Sequence, residues 1–391
     1  MTIAGGKLQG VEASFLARSL GWEVVLIDRN PSAPARGLCD SFYQCDIVKD
    51  ISKLRQIIRK VDLIIPTLEN VAALKSLQEC SKSTGIPLAY DREAHFITRS
   101  KKRSNHFFKK LGISIPEPWP ECGLPVIIKP STLSGSQSVE KLSMEQELSA
   151  FLQRANTGVD RWVIQEYLEG PSYSLEVLGF EGCYEVLQVT ELEMDDQYDC
   201  KRVLAPAKIS QSLEREFREI THTIAKGLRL KGIMDVEVIN QQGKLKVLEI
   251  DARLPSQTPT AVLKSTGINM LEILGDIFVN KSLPRLTVSN IARGVVYEHI
   301  RVSEKGIEVL GEHIMENAGP LKMVDHLFEA DVALTNFNGS RLPWVATLIV
   351  VEEDSEKTWR KRCRVIGNIE NDVGKAPSSH TGLSANSSST A

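Results

Sequence analysis

Short apolar runs alternate with amphipathic stretches over the first 90 residues. Thr2–Ala4 predicts a brief strand and about Val11–Leu20 a helix. Val24–Asp28 and Val61–Pro66 read as buried strands, and another helix starts near Asn70. Apolar runs with helices between them predict an α/β unit, a parallel sheet covered on both faces. Ligands of such sheets bind beyond the carboxyl ends of the strands. Those ends carry Lys7, Leu8, Gln9, Asp28, Asp46, Glu69 and Asn70. From Asp91 to Leu111 the pattern is strongly helical, with Lys101-Lys102-Arg103 in its middle. A solvated basic face is the ordinary meaning of such a run.

Leu124–Lys129 reads as a buried strand ending in lysine, followed by the small polar loop Ser131–Ser138. Its backbone N–H groups and hydroxyls can fold over phosphates, although an ordinary connection has the same composition. Trp162–Glu166 is a strand running into the turn Tyr167–Gly170. Leu213, Phe217, Ile220, Ile224 and Leu228 recur at helical spacing, which is core packing. Beyond about Ser289 the chain is β-rich, with strands at Gly294–Ile300, Asp331–Thr335 and Val345–Val351. Residues from about Val373 to Ala391 are small and polar, and a disordered tail is expected there. The expected units are therefore 1–90, 91–288 and 289–372, with a tail at 373–391.

The densest chemistry lies between Gly232 and Asp251. The segment reads as a β-hairpin. Side chains alternate along a strand, so Asp235 and Glu237 point one way and Met234, Val236 and Val238 the other. The return strand puts Glu249 and Asp251 on one side, Leu248 and Ile250 on the other. A three-residue loop, Gln241-Gln242-Gly243, would pair Asp235 with Glu249 and leave Glu237 farther from it. Like charges opposed in a sheet are unfavourable unless a cation lies between them. Oxygen ligands on rigid strands suit Mg²⁺ held together with substrate phosphates. A half-exposed hairpin with an acidic outer face would look the same.

Bulk properties narrow the class. The chain has 391 residues, enough for two or three domains, and its 47 Lys plus Arg against 50 Asp plus Glu give a net charge of −3. Nothing in that balance calls for nucleic acid or an anionic membrane. No apolar run nears the ~20 residues of a membrane span, and no basic-then-apolar leader is legible. Seven scattered cysteines without C-x-x-C spacing fit neither a zinc ribbon nor a disulfide framework. A cytoplasmic enzyme is expected. The glycines Gly5, Gly6 and Gly10 with Asp28 suggest a dinucleotide loop, but their spacing is G-G-x-x-x-G rather than G-x-G-x-x-G.

In order, the chain shows an α/β lead, a helical lysine and a strand lysine before a Ser/Gly loop. The string Gln165-Glu166-Tyr167-Leu168-Glu169-Gly170 and the acidic hairpin ending Leu248-Glu249-Ile250-Asp251-Ala252-Arg253 follow. This order resembles the ATP-grasp superfamily of carboxylate–amine ligases over roughly residues 1–300. Four strings are similar to the branch that couples an ornithine analogue to lysine in pyrrolysine biosynthesis. They are Gly6–Gly10, Tyr198–Cys200, Lys231–Glu237 and Glu249–Val262.

The resemblance implies a lead domain, a two-lobed ATP-grasp domain and a small β-rich end. It also implies that ATP phosphorylates the carboxylate of 3-methyl-D-ornithine (or D-ornithine), and that the ε-amine of L-lysine displaces phosphate. Two Mg²⁺ would be held by Asp235, Glu249 and Asp251, with Glu237 a fourth candidate. Lys101 and Lys129 would contact phosphates beneath Ser134 and Ser136. Gln165, Glu166 and Leu168 would hold adenine, and Lys7, Asp28, Asp46 and Ile47 complete the nucleotide set. Arg253 and Lys129 would be catalytic, Arg253 facing the transferring phosphoryl group. The amino-acid substrates would meet Leu8, Gln9, Glu69, Asn70, Tyr198, Asp199, Arg253, Ser256, Gln257 and Thr258. Glu69 would pair with a substrate ammonium.

Three departures stand out. Ser100 replaces a common Asp, Pro171 follows the hinge where relatives carry an acid, and the opening strand is short, as for a chain whose start is incomplete. Three alternatives remain open at this level: a ligase of another carboxylate, a dinucleotide-binding oxidoreductase, or an ATP-binding regulator without turnover.

Overall fold

The computed structural model describes residues 1–133, 135, 138–155, 161–286, 292–339 and 342–373. Ser134, Ser136 and the tail from 374 lie outside the described residues. The first lobe comprises β1 (Thr2–Ala4), α1 (Leu8–Ser19), β2 (Val25–Asp28), β3 (Ser41–Gln44), α2 (Ile51–Ile58), β4 (Ile64–Pro66) and α3 (Val71–Thr84). Its sheet is parallel in the order β3-β2-β1-β4. Alternation feeds two cores: Ile3, Leu26 and Ile65 pack to one side, Ala4, Ile27 and Ile64 to the other. The polar edge strand β3 has no apolar run to announce it. Helix α1 begins at Leu8, three residues before the expected start, so Leu8 and Gln9 occupy its first turn. Asn70 caps α3, its Oδ1 accepting from Ala73 N–H at 3.0 Å.

The single helix expected from Asp91 to Leu111 is two, α4 (Arg92–Thr98) and α5 (Lys101–Lys110). The break has a distant cause: the Lys101 N–H donates to the Ser131 carbonyl at 2.8 Å. Lys101 is therefore the first residue of α5 and only 8% exposed, not part of a solvated face. A three-stranded antiparallel sheet follows, ordered β6-β5-β7, from β5 (Val126–Pro130), β6 (Glu140–Leu142) and β7 (Trp162–Glu166), with α6 (Glu145–Arg154) beside it.

The largest sheet starts with β8 (Ser172–Phe180), β9 (Cys183–Val186), β10 (Thr190–Met194) and β11 (Cys200–Ala205), followed by α7 (Gln211–Leu228). The hairpin β12 (Gly232–Gln241) and β13 (Lys244–Asp251) leads to α8 (Thr258–Thr266) and α9 (Met270–Gly275). Then come β14 (Gly294–Ser303), β15 (Gly306–Val309), β16 (Lys322–Asp325), β17 (Val332–Thr335), β18 (Trp344–Glu352) and α10 (Ser355–Val373). Among the described residues this sheet has 11 strands, with the path β13-β12-β8-β10-β11-β14-β18-β17-β16. The apolar stripe of α7 buries Phe217, Ile224 and Leu228 against it, each side chain contributing about 1.5–3 kcal/mol. Helix α10 was hidden by its charges; Thr358, Val365 and Ile369 form its buried face. No helix among the described residues is long and apolar enough to cross a membrane.

The hairpin register differs from the expected one. Gln242 (φ 51°) and Gly243 (φ 87°) make a two-residue turn, and a bulge follows beyond Val247. Asp235 consequently faces Asp251, and Glu237 faces Glu249. The extra residue is Leu248, which turns to the same side as Glu249 while Val247 and Ile250 stay in the core. Glu237 thus lies directly opposite Glu249, and it is Asp235 that is displaced from it.

Candidate active site

Two cavities meet at this hairpin. A cleft of about 350 Å³ lies between the three-stranded sheet and the large one. Its walls are Ile127, Val139, Leu168, Ile239 and Leu248, with Lys101, Lys129, Gln165 and Glu166 among them. A smaller pocket of about 120 Å³ is lined by Asp199, Asp235, Asp251, Arg253, Ser256, Gln257, Thr258 and Glu312. Glu237, Glu249, Met194 and Tyr198 line both, so two carboxylates stand in the wall between the cavities.

Charge in the cleft is paired. Lys101 Nζ donates to Glu249 Oε1 at 2.6 Å and to the Leu133 carbonyl at 2.7 Å. Burial alone would raise Glu249, but Lys101 and Lys129 hold it below the ordinary carboxylate range. Burial pushes Lys129 down to about 8, with Glu249 pulling the other way. The Glu166 carboxylate accepts from Glu117 N–H at 2.6 Å and from the Lys246 ammonium, which sequence reasoning missed. Those bonds fix the hinge, whose Glu166 and Tyr167 N–H groups donate to the Glu117 and Pro125 carbonyls at 2.8 and 3.0 Å. Gly170 ends the hinge at φ 153°, where a Cβ would sit 2.1 Å from the Asn240 carbonyl oxygen, so only glycine fits.

The pocket is different. Burial, then Asp251 and Glu237, raises Asp235 well above its ordinary range. Glu237 and Asp251 are each pushed up to about 7 by burial and neighbouring carboxylates. Arg253 donates to Asp251 Oδ2 at 2.8 Å and Glu69 Oε1 at 2.9 Å. Buried atoms Asp235 Oδ1, Arg253 Nε and Gln257 Oε1 have no hydrogen-bond partner. Gln257 Nε2 donates to Glu312 Oε2 at 2.8 Å. Glu312 had no sequence signal, because its strand-poor segment shows no period.

An oxygen-liganded divalent cation fits this donor set: it satisfies Asp235 Oδ1 and relieves the repulsion among the buried carboxylates. The carboxylates are spread, with Glu249 turned to Lys101 and Asp251 to Arg253. A tighter group among the described residues is Asp195, Asp199 and His313. Its oxygens are already committed, Asp195 to the N–H groups of Gln197, Asp199 and Gly311, and Asp199 to His313 Nδ1 at 2.5 Å. That group is a clamp joining the Tyr198 turn to the segment that carries Glu312.

Other residues suggested by sequence lie away from both cavities. Lys7 is exposed and pairs with Glu316 at 3.2 Å. Asp28 accepts from Gly6 and Asn30 N–H at 2.6 and 2.7 Å, closing its own turn, which removes the acid a dinucleotide ribose would need. Asp46 accepts from Val48 and Lys49 N–H, and Ile47 is buried in the first-lobe core. Leu8 packs on the main core, Gln9 is half-buried beside it, Asn70 caps its helix, and Glu69 reaches the site through Arg253.

Residues 98–257 match the ATP-grasp domain, and residues 1–89 match the PylC-like N-terminal domain. The 3-methyl-D-ornithine–L-lysine ligase of Methanosarcina barkeri is 33% identical over 373 residues, 95% of this chain and 98% of that one. Its Methanosarcina acetivorans counterpart is 37% identical over 315 residues, 80% of this chain and 83% of that one. Biotin carboxylase from Campylobacter jejuni, solved as a β-γ-ATP complex, superposes with a TM-score of 0.72 at 14% identity, covering 92% of this chain and 89% of that one. An ADP complex of N5-carboxyaminoimidazole ribonucleotide synthetase gives 0.69 at 14% identity, covering 95% and 97%. Both show the fold alone. Fold and shared wall define an ATP-grasp enzyme, an ATP-dependent carbon–nitrogen ligase. The chain belongs to the family of the 3-methyl-D-ornithine–L-lysine ligases.

Proposed function

We propose that the chain joins the carboxylate of 3-methyl-D-ornithine, or D-ornithine, to the ε-amine of L-lysine through an acyl phosphate. The observation that carries this reading is likeness to the Methanosarcina barkeri ligase over 95% of the chain. The shared wall supports the chemistry, since a nucleotide in the larger cleft would present its terminal phosphate to the polar pocket. Lys101 and Lys129, which line the cleft, would neutralise the phosphates, and the hinge residues Gln165, Glu166 and Leu168 beside them would hold adenine. Asp235, Glu237, Glu249 and Asp251 would hold two Mg²⁺, which supply charge neutralisation and alignment for phosphoryl transfer.

A carboxylate oxygen of the ornithine attacks the γ-phosphorus, the bond to ADP breaks, and an acyl phosphate forms. Arg253, half-buried and raised above its ordinary range by Asp251 and Glu69 against desolvation, stabilises the charge that develops there. The lysine amine, which must first lose a proton from a group of pKa about 10.4, attacks the acyl carbon and expels phosphate. Glu312, on the wall of the small pocket, offers a carboxylate to a substrate ammonium group, whereas Asp199 and Glu69 are engaged by His313 and Arg253.

Mass spectrometry of products from pooled amino acids with Mg·ATP tests this. The expected product carries an ornithyl group on the lysine side-chain nitrogen. D-Alanine should be poorer by roughly 10⁴-fold, because a site lined with hydrogen-bonding groups rejects analogues that leave them unpaired. Equal use of D-alanine with itself would remove the substrate assignment and leave the ligase class.

A further inference from the structure

Glu12 lies on α1, one turn beyond Leu8 and Gln9, and is 1% exposed. Its Oε1 accepts from the Thr260 N–H at 2.5 Å, across 248 residues of sequence. Thr260 is the third residue of α8, and its N–H is one that the residue before a helix usually satisfies with its own side chain. Here that residue is Gln257, which makes no such bond. Gln257 instead stands at φ 77°, ψ −60°, a conformation rare for a side-chain-bearing residue, and is 4% exposed. Its amide is turned into the small pocket, Nε2 on Glu312 and Oε1 without a partner.

Stability alone gives little reason for an acid at position 12. A buried carboxylate costs more than an apolar side chain of equal volume, and Glu12 Oε2 has no partner. A carboxylate at a helix N-terminus does meet the unsatisfied N–H groups and the positive end of the helix dipole. We propose that Glu12 is a positioning residue: it caps α8 from the first lobe and thereby releases Gln257 to recognise the amino-acid substrate. The role rests on the reading that the small pocket binds that substrate. It is a role for the first lobe that needs no contact between α1 and the substrate.

Steady-state kinetics of Glu12→Met and Glu12→Gln, using whichever substrate pair the wild-type chain turns over, test it. That choice separates failure of this role from failure of the ornithine–lysine assignment. Met fills the same volume without an acceptor, whereas Gln keeps one. Glu12→Met should raise the KM of the amino-acid substrate about tenfold while the KM of ATP stays within about twofold. Glu12→Gln should restore most of the loss. Gln257→Leu should match Glu12→Met, and the double variant should be no worse than either single one. Equal rises in both KM values, additive effects in the double variant, or loss of cooperative unfolding in both Glu12 variants would overturn the proposal and leave Glu12 a structural residue.

Discussion

The cleft and the pocket share a wall but differ in how their polar groups are satisfied. In the cleft Lys101 pairs with Glu249 and Lys246 with Glu166, while Lys129 donates to the Leu248 carbonyl at 3.4 Å. The apolar surfaces of Ile127, Leu168, Ile239 and Leu248 and the hinge backbone do the rest. The pocket is about a third of that volume and keeps buried polar atoms in waiting, on Asp235, Arg253 and Gln257. On the function proposed above, generic surfaces and cations would hold a flat heterocycle and phosphates in the cleft. A small diamino acid has to be told from its neighbours, and unpaired buried donors and acceptors do that.

The sharpest break of this contrast is the wall itself. Asp235→Asn, Glu249→Gln and Glu237→Gln should each lower kcat by roughly a thousandfold or more in single-turnover assays, Glu237 included because it faces Glu249. Their thermal midpoints should hold or rise for Asp235→Asn and Glu237→Gln, since each removes a buried like charge. Next, Gln257→Leu should raise the amino-acid KM about tenfold or more and leave the ATP KM alone. On the other side of the wall, Lys246→Met removes one of two donors to the Glu166 carboxylate and should raise the ATP KM by only about threefold to tenfold. A reversal of those two KM effects would show that the cavities have been assigned the wrong way round.

The smallest effect is on stability. Burial raises Glu12 from 4.5 to about 7, so the folded chain keeps a proton that the unfolded chain releases between those values. The stability this contributes is present below about pH 4.5 and is lost as pH rises through about 7. Glu12→Gln should therefore flatten the fall in thermal midpoint between pH 5 and 7.5 by about a few degrees in a calorimetric scan.

Much of this was legible in the residues. Alternation at Met234–Val238 put the carboxylates of β12 on one face, and the alternating apolar runs gave the first lobe. What failed to be legible depended on partners far away in sequence. The helix break before Lys101 contains no glycine or proline; the Ser131 carbonyl makes it. The hairpin register turned on whether Gln242 or only Gly243 took positive φ, and the bulge at Leu248 has no local mark. Glu312 lines the pocket beside Gln257, and Glu12 reaches α8 through Thr260, contacts that no period could announce. Lys7, Asp28 and Asp46, suggested by their strand ends, are instead used in turns and a surface pair.

The path of the large sheet also bears on how the chain is made. Strand β11, which carries Cys200 and Val203 of the small pocket, pairs on its outer side with β14, Leu204 against Val296. A ribosome delivers the nucleotide hinge, the acidic hairpin and Gln257 well before it delivers that last neighbour. Until Gly294–Ser303 emerges, β11 waits with one row of backbone groups open, a natural place for a chaperone or for unwanted pairing with another nascent chain. The wall between the two cavities is thus synthesised before the strand that completes the sheet behind the small pocket.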